Sequence, residues 1–212
     1  MTTQLSLYNG ALRALGERKL ASLSEDRKPR RLLDAAWDDK VIKYCLEQGQ
    51  WKFAQRTSKL TYQPSYTAPF GYRRQFVRPS DCVRLTKVCS DEFLDQPLLD
   101  YAEEAGFWFA NLNEISGSYV SDAASYGSDM SLWPESFVTA VQLQLACEIA
   151  FDLTQSKTVV DAADMKLKAA LTNARSKDAM QNPTQFPPAG GWVRSRAGGR
   201  LATRKNRSTL LG

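Results

Sequence analysis

Two stretches of helical periodicity enclose a middle segment with a different pattern, and this arrangement limits what the chain can fold into. Each helical stretch contains two successive segments whose apolar residues recur three and four positions apart, so every segment has one apolar face. Four such faces must be buried against one another. The pattern predicts a small four-helix bundle with helices at about residues 3–15, 29–48, 132–153 and 157–180.

The middle segment, residues 51–120, has the pattern of β structure. Prolines and glycines separate short runs in which apolar residues alternate, which is typical of strands in an antiparallel sheet. Residues 100–110 predict a hairpin with its turn near residues 103–106. We therefore expect an α+β chain: a four-helix bundle with an antiparallel β insertion between helices 2 and 3, forming one domain over residues 1–180. The alternating positions are Trp51 and Phe53, Val83 and Leu85, and Ile115, Gly117 and Tyr119.

Residues 181–212 differ from both of these regions. They are rich in proline and glycine, which predicts an extended C-terminal arm rather than a packed element. The chain holds 28 lysines and arginines against 23 acids, and its last 21 residues contain six of the basic residues and no acid. The rest of the chain is therefore close to neutral. A basic arm on a neutral body indicates docking to an acidic protein or to a phosphate backbone.

The arm also contains an aromatic residue in a position suited to docking. Trp192 lies between a double glycine and a basic run, and an aromatic anchor flanked by arginine is typical of binding hot spots. The predicted partner-docking residues are Trp192, Val193, Arg194, Arg196, Arg200, Arg204, Lys205 and Arg207.

The residue types present argue against several kinds of chemistry. The chain has no histidine, which removes Ser-His-Asp triads, Cys-His dyads and histidine metal sites. Its four cysteines form no C-x-x-C pair, and we expect them to be reduced and mostly buried. Adjacent acids such as Asp38 and Asp39 point about 100° apart on a helix, which indicates surface charge rather than a catalytic pair. We predict no catalytic residue, metal or cofactor, and a protein that is not an enzyme.

No sequence feature predicts a membrane association. No stretch approaches 18 consecutive apolar residues, and the N-terminal residues lack the basic and apolar regions of a secretory signal. We expect a protein that functions in a cytoplasm-like compartment.

The middle segment is rich in aromatic residues, with arginines such as Arg56, Arg73 and Arg78 among them. This combination could form a stacking platform for single-stranded nucleic acid. It is equally typical of a small sheet and of protein interfaces, where aromatics and arginine are enriched. We favour the second interpretation because no RNA-binding or helix-turn-helix motif accompanies the aromatics.

Several strings, taken in order, resemble the tail tubular protein A family of bacteriophages. Residues 7–17 (LYNGALRALGE) followed by 20–23 (LASL) are similar to the family's opening, and residues 31–53 look like its second helix and the Gly-x-Trp-x-Phe exit. Residues 131–137 and 174–179 are similar to later blocks. The resemblance covers about residues 5–180, and its specificity comes from the order of the strings rather than from any single motif.

The resemblance implies a head-to-tail adaptor, or connector, in the virion. Such adaptors form a ring, usually of twelve copies, beneath the portal at the head–tail junction, after assembly in the host cytoplasm. The ring extends the DNA ejection channel, so double-stranded DNA passes without sequence specificity, and a tail nozzle or tail tube protein attaches below. The arm residues from Trp192 to Arg207 would reach the portal, whereas no channel-facing residues are assigned. The alternative is a non-specific nucleic-acid-binding protein that uses the basic arm as a phosphate clamp.

Overall fold

The computed structural model describes residues 2–65 and 71–181, which form five α-helices and six strands. A single turn of 3-10 helix, Lys52–Ala54, lies between the third helix and the first strand. The helices are α1 (Gln4–Leu15), α2 (Lys28–Asp38), α3 (Val41–Glu47), α4 (Glu135–Thr154) and α5 (Lys157–Met180). The strands are β1 (Gln55–Thr61), β2 (Arg74–Val77), β3 (Cys82–Cys89), β4 (Ala102–Glu104), β5 (Phe107–Ala110) and β6 (Glu114–Ser121).

The expected four-helix bundle is wrong, because the described residues form a mixed α+β fold with five helices. The helix expected over residues 29–48 is broken into α2 and α3 at Lys40, whose φ of 65° lies in the left-handed region. An uninterrupted helix over residues 29–48 would carry Tyr44 on the same face as Leu33 and Cys45, but the change of direction leaves Tyr44 exposed while the other two are buried. The periodicity continues across the break because Asp38-Asp39-Lys40 contains neither glycine nor proline.

Helix α4 is the centre of the helical part. It contacts α1, α2, α3 and α5, and residues on several of its sides are buried, so it has no single apolar face. By length and composition alone α4 could cross a membrane, but half of its apolar window is buried against the rest of the fold. A core helix that packs against four others accounts for the same composition.

The start of α4 also differs from expectation. The helix begins at Glu135 with Pro134 as its N-cap, three residues after the expected start at residue 132. The backbone N–H and hydroxyl of Ser131 both donate to Asp129, and the Trp133 indole donates to the Gly127 carbonyl at 2.9 Å. These local bonds keep the segment before Pro134 out of the helix.

The expected strand at Trp51 and Phe53 is wrong as well. Trp51 precedes the 3-10 turn and Phe53 lies within it, because both rings pack around Phe137 of α4, with centroids 4.9 and 4.8 Å from it. The Trp51 indole N–H donates to the Cys45 carbonyl at 3.0 Å. Aromatic packing and this hydrogen bond decide the local structure here, rather than the period-two spacing.

The β insertion forms two three-stranded antiparallel sheets where the sequence suggested one. The first sheet has the order β1-β6-β3 and the second the order β2-β5-β4. They share a small apolar core that includes Phe76, Trp108 and Ile115. At Gly117 of β6 a Cβ would lie 3.1 Å from the Trp108 ring, so glycine allows the close approach. The hairpin expected over residues 100–110 is present, with Ala105 and Gly106 both at positive φ in its two-residue turn.

Candidate docking site

The eight arm residues predicted to dock, Trp192 through Arg207, lie outside the described residues. The described chain ends just after α5, and that end is fixed to the fold. Near it, Asp178 is only 9% exposed and accepts a hydrogen bond from the backbone N–H of Lys52 at 2.9 Å. About one turn earlier, Arg175 donates to the Gln48 side chain at 3.2 Å. The point from which residues 182–212 continue is therefore held against the 3-10 turn.

The environment of Asp178 affects its ionisation. Burial raises its pKa, and the hydrogen bond from the Lys52 backbone and the Lys52 charge only partly oppose this. A buried carboxylate at the end of a helix is unfavourable, both because it is desolvated and because the C-terminal end of the helix dipole is negative. The hydrogen bond offsets part of this cost, because the carboxylate accepts from a backbone N–H of the 3-10 turn.

A second polar cluster fixes the β insertion. Asp81, between β2 and β3, accepts hydrogen bonds from Arg56 of β1 at 2.8 Å, from the Ser121 hydroxyl and, at 3.3 Å, from the Tyr119 hydroxyl. The Arg56 guanidinium also lies 5.6 Å from the centre of the Tyr126 ring. The cluster therefore joins the first sheet to the connection that leads into α4.

Hydrogen bonding outweighs burial at Asp81. Burial alone would raise the pKa of this carboxyl, but the bonds from Ser121 and Arg56 lower it below its usual value. Two further contacts hold the insertion to the helices: Lys43 of α3 lies 3.6 Å from Asp122, and Arg84 of β3 donates to the Glu47 carbonyl at 3.0 Å. The insertion is thus attached to α3 and to the segment before α4.

The connection after β3 presents an aromatic side chain to solvent. In residues 90–97, called the tip loop below, the Asp91 carboxylate accepts the backbone N–H groups of Asp95 and Gln96 at 3.0 and 2.9 Å. Lys87 donates to the Leu94 carbonyl at 3.1 Å. Phe93, in the middle of the tip loop, is 85% exposed.

Two grooves border α4 near its C-terminal half. One, between α2 and α4, has a volume of about 500 Å³ and is lined by Lys28, Leu32, Phe151, Asp152 and Gln155. The other lies between α3, α4 and α5, has a volume of about 540 Å³ and includes Cys147 and Asp164 in its wall.

The thiols near α4 are poor nucleophiles. Burial, with a hydrogen bond to Asp164 and its charge, raises the pKa of Cys147 to about 12, and burial with the nearby Glu148 does the same for Cys45. Both thiols stay protonated at neutral pH. All four cysteines are unpaired; three are buried and Cys147 is half-buried. Over residues 2–65 and 71–181, no group of three or more cysteines, aspartates and glutamates is arranged to hold a metal ion.

No family model matches the chain, and no curated protein shows significant similarity to it.

The best-defined polar contacts of the structure were not singled out from sequence. Asp81 and Asp178 are isolated acids in polar stretches, and their partners lie 25 to 126 positions away along the chain. No local pattern marks such pairs. The exposure of Phe93 had a weak signal, because a phenylalanine among Asp91, Glu92 and Asp95 interrupts an acidic run.

Proposed function

We propose that this protein is a bacteriophage head-to-tail adaptor, which forms an oligomeric ring under the portal, extends the DNA channel and provides the platform for tail attachment. The resemblance of residues 5–180 to that family supports the proposal. The order of the regions also supports it, because a near-neutral α+β body is followed by a basic segment.

The segregation of basic charge is the observation that carries the proposal. Six basic residues and no acid lie in the last 21 residues, whereas the preceding part has 22 basic and 23 acidic side chains. Asp178 and Arg175 hold the end of α5 to the 3-10 turn and to the segment after α3. A segment that carries one sign of charge is suited to bind a neighbouring protein surface of the opposite sign.

In the proposed mechanism, Trp192 is the aromatic anchor, and Arg194 and Arg196 make polar contacts with the portal. Each arm alone would bind weakly, because ordering a segment costs about 1–2 kcal/mol per residue. A ring presents the same arm many times, and the effective concentration of each further arm strengthens the whole attachment.

Truncation of the arm tests the mechanism. Removing residues 189–212 should abolish binding to portal rings of the same phage, measured by co-sedimentation. Removing only residues 208–212 deletes no basic residue and is the matched control, which should bind as the full chain does. Equal binding by both truncated proteins would eliminate the arm from the mechanism.

The same six basic residues also favour a second candidate, a non-specific nucleic-acid-binding protein. If the arm clamps phosphates, binding to duplex DNA should weaken steeply with salt, with a log–log slope of about −0.9 for each phosphate contact. The adaptor proposal predicts portal binding with no comparable affinity for short duplexes. Titrations at two salt concentrations with each ligand separate the two functions.

A further inference from the structure

Two phenylalanines are strongly exposed in the described part of the chain, and they lie in different settings. Phe93 on the tip loop is 85% exposed, and Phe151 near the end of α4 is 62% exposed. A single exposed apolar residue needs no explanation. Here, however, the Phe93 ring projects from an ordered loop and the Phe151 ring lines the groove between α2 and α4. A projecting ring, called the knob below, and a groove can form the two halves of one contact.

The tip loop holds Phe93 in a fixed position. Asp91 accepts two backbone N–H groups of the loop, Ser90 N–H donates to the Gln96 carbonyl at 3.0 Å, and Leu98 N–H donates to the Val88 carbonyl at 2.8 Å. These bonds close the loop at its base and across its middle. A ring presented on a closed loop loses little conformational freedom on docking.

The charge around Phe93 is acidic. Residues 88–106 contain six acids and no lysine or arginine. Among the acids of the tip loop, Glu92 forms an ion pair with Lys59 at 2.7 Å. The Lys87 ammonium donates to the Leu94 carbonyl. Asp91 and Asp95 have no ion pair within the described residues. Both oxygens of Asp91 accept loop N–H groups, so Asp95 is the carboxylate open to a partner and Asp91 adds its negative charge behind it.

The groove between α2 and α4 has complementary features. Its apolar wall is formed by Leu32 and Phe151, and its volume of about 500 Å³ admits a phenyl ring. Lys28 stands at its edge, with its ammonium on the Asp152 carbonyl at 2.8 Å. Helix α2 begins at Lys28 without a side-chain cap, which adds the positive end of a helix dipole at the same edge.

The geometry points to a self-association contact: Phe93 of one copy docks in the Leu32–Phe151 groove of a second copy, with Asp91 and Asp95 facing the positive edge at Lys28. The two halves of the contact are different patches of the same chain, so the contact is heterologous, and each copy can use its knob and its groove at once. Repetition produces a ring or an open chain. The carboxylates of the tip loop disfavour nucleic acid or an anionic membrane as the occupant, because each would place phosphate beside them.

Complementary single variants test this contact in the full-length protein. Phe93→Asp destroys the knob and leaves the groove, whereas Phe151→Asp destroys the groove and leaves the knob. We expect wild-type protein to form oligomers beyond a dimer as concentration rises, measured by sedimentation velocity. Each variant alone should associate at least about 30-fold more weakly, as expected when a hot-spot aromatic is lost.

An equimolar mixture of the two variants gives the decisive result. The intact knob of Phe151→Asp can enter the intact groove of Phe93→Asp, so the mixture should form dimers and nothing larger. Leu99→Asp and Met165→Asp are the matched controls, because these side chains are 90% and 70% exposed and lie outside the contact. Both should assemble as the wild type does, and circular dichroism should show that all four variants are folded.

Three results would overturn the contact: wild-type protein that stays monomeric up to about 1 mM, a mixture that remains monomeric, or a Leu99→Asp variant as defective as Phe93→Asp. The contact does not depend on the arm. Because a ring strengthens the attachment through many arms, the Phe93→Asp variant should bind portal rings more weakly than wild type does. It should still bind them more tightly than a Phe93→Asp variant that also lacks residues 189–212. Equal binding by these two variants would count against the adaptor function and leave the self-association contact untouched.

Discussion

The carboxylate of Asp178, in the last turn of α5, accepts a hydrogen bond from the backbone N–H of Lys52 at 2.9 Å, across 126 positions of sequence. This bond joins the end of the last helix to the 3-10 turn that leads into the β insertion. It therefore fixes the C-terminal end of α5 relative to the start of the β insertion.

Replacing Asp178 should separate its hydrogen bond from its charge. Asp178→Ala leaves the Lys52 N–H without its acceptor and should lower the free energy of unfolding by about 1–3 kcal/mol. Asp178→Asn keeps an acceptor oxygen and removes a desolvated charge, so it should be as stable as wild type, or more so, at pH 7. Urea denaturation of the three proteins measures the difference, and an Asn variant as unstable as the Ala variant would contradict the role given to the hydrogen bond.

The pH dependence of Asp178 follows from its raised pKa. Because the folded protein favours the protonated form of Asp178, this group stabilises the fold fully when the pH lies below 3.8, its usual pKa. The stabilisation is lost as the pH rises through the higher pKa of the folded protein. The stability of wild type relative to Asp178→Asn should therefore increase as pH falls through that window. Paired urea titrations at successive pH values measure this difference.

Asp81 should show the opposite dependence. Its pKa is lowered, so its stabilisation is present above the usual value of 3.8 and is lost as pH falls through the lower folded pKa. At pH 7, Asp81→Ala should cost about 1–3 kcal/mol, because Arg56, Tyr119 and Ser121 lose a shared acceptor. The partial exposure of the Arg56 side chain keeps the loss below that of a fully buried pair. If wild type and Asp81→Asn lost stability in parallel on acidification, the cluster would not be the source of the effect.

The sequence predicted the elements of this fold better than their assembly. The apolar faces of α1 and α5 were evident from spacing, and the hairpin turn was expected near residues 103–106, where Ala105 and Gly106 form it. The single apolar face expected for α4 was wrong, because this helix packs against four others. The break at Lys40 was missed, because a non-glycine residue in the left-handed region leaves no compositional mark. The division into two sheets was also missed, since strand pairing depends on contacts between residues that are distant along the chain.

The candidate sites also divide into features that the sequence shows and features that only the folded chain shows. Charge segregation and Trp192 could be recognised from composition, because they depend on neighbouring residues alone. The Asp81 cluster, the Asp178 cap and the Leu32–Phe151 groove each combine residues from two or more elements, so only the folded chain brings them together.

The turn between β4 and β5 offers a gain in stability. Ala105 has a φ of 48° and Gly106 a φ of 81°, a two-residue turn in which both positions require the left-handed region. Asparagine tolerates that region better than alanine, so Ala105→Asn should raise the free energy of unfolding by about 0.5–1 kcal/mol. Gly106→Ala should lower it by about 1 kcal/mol or more. Thermal unfolding of both variants checks the pair, and a destabilised Ala105→Asn would show that the turn is not strained at this position.

Replacing Gly127 or Gly10 by alanine should change the stability of the protein to different extents, because different groups lie close to the two glycines. At Gly127 a Cβ would overlap the Ser121 backbone carbonyl and the Leu46 side chain, whereas at Gly10 of α1 the three nearest atoms all belong to the Gln142 side chain, from Cγ outwards. A backbone oxygen cannot move without disturbing β6, but a glutamine side chain can change its rotamer.

Gly127→Ala should therefore cost about 2 kcal/mol or more, within the range for overpacking a well-packed core. Gly10→Ala should cost much less, and the better helix propensity of alanine, about 1 kcal/mol, offsets the displacement of Gln142. Urea denaturation of the two variants, with Gln142→Ala/Gly10→Ala as the control that removes the obstruction, measures the contrast. The double variant should be at least as stable as Gln142→Ala alone; if it is less stable, the obstruction at Gly10 comes from something other than the glutamine side chain.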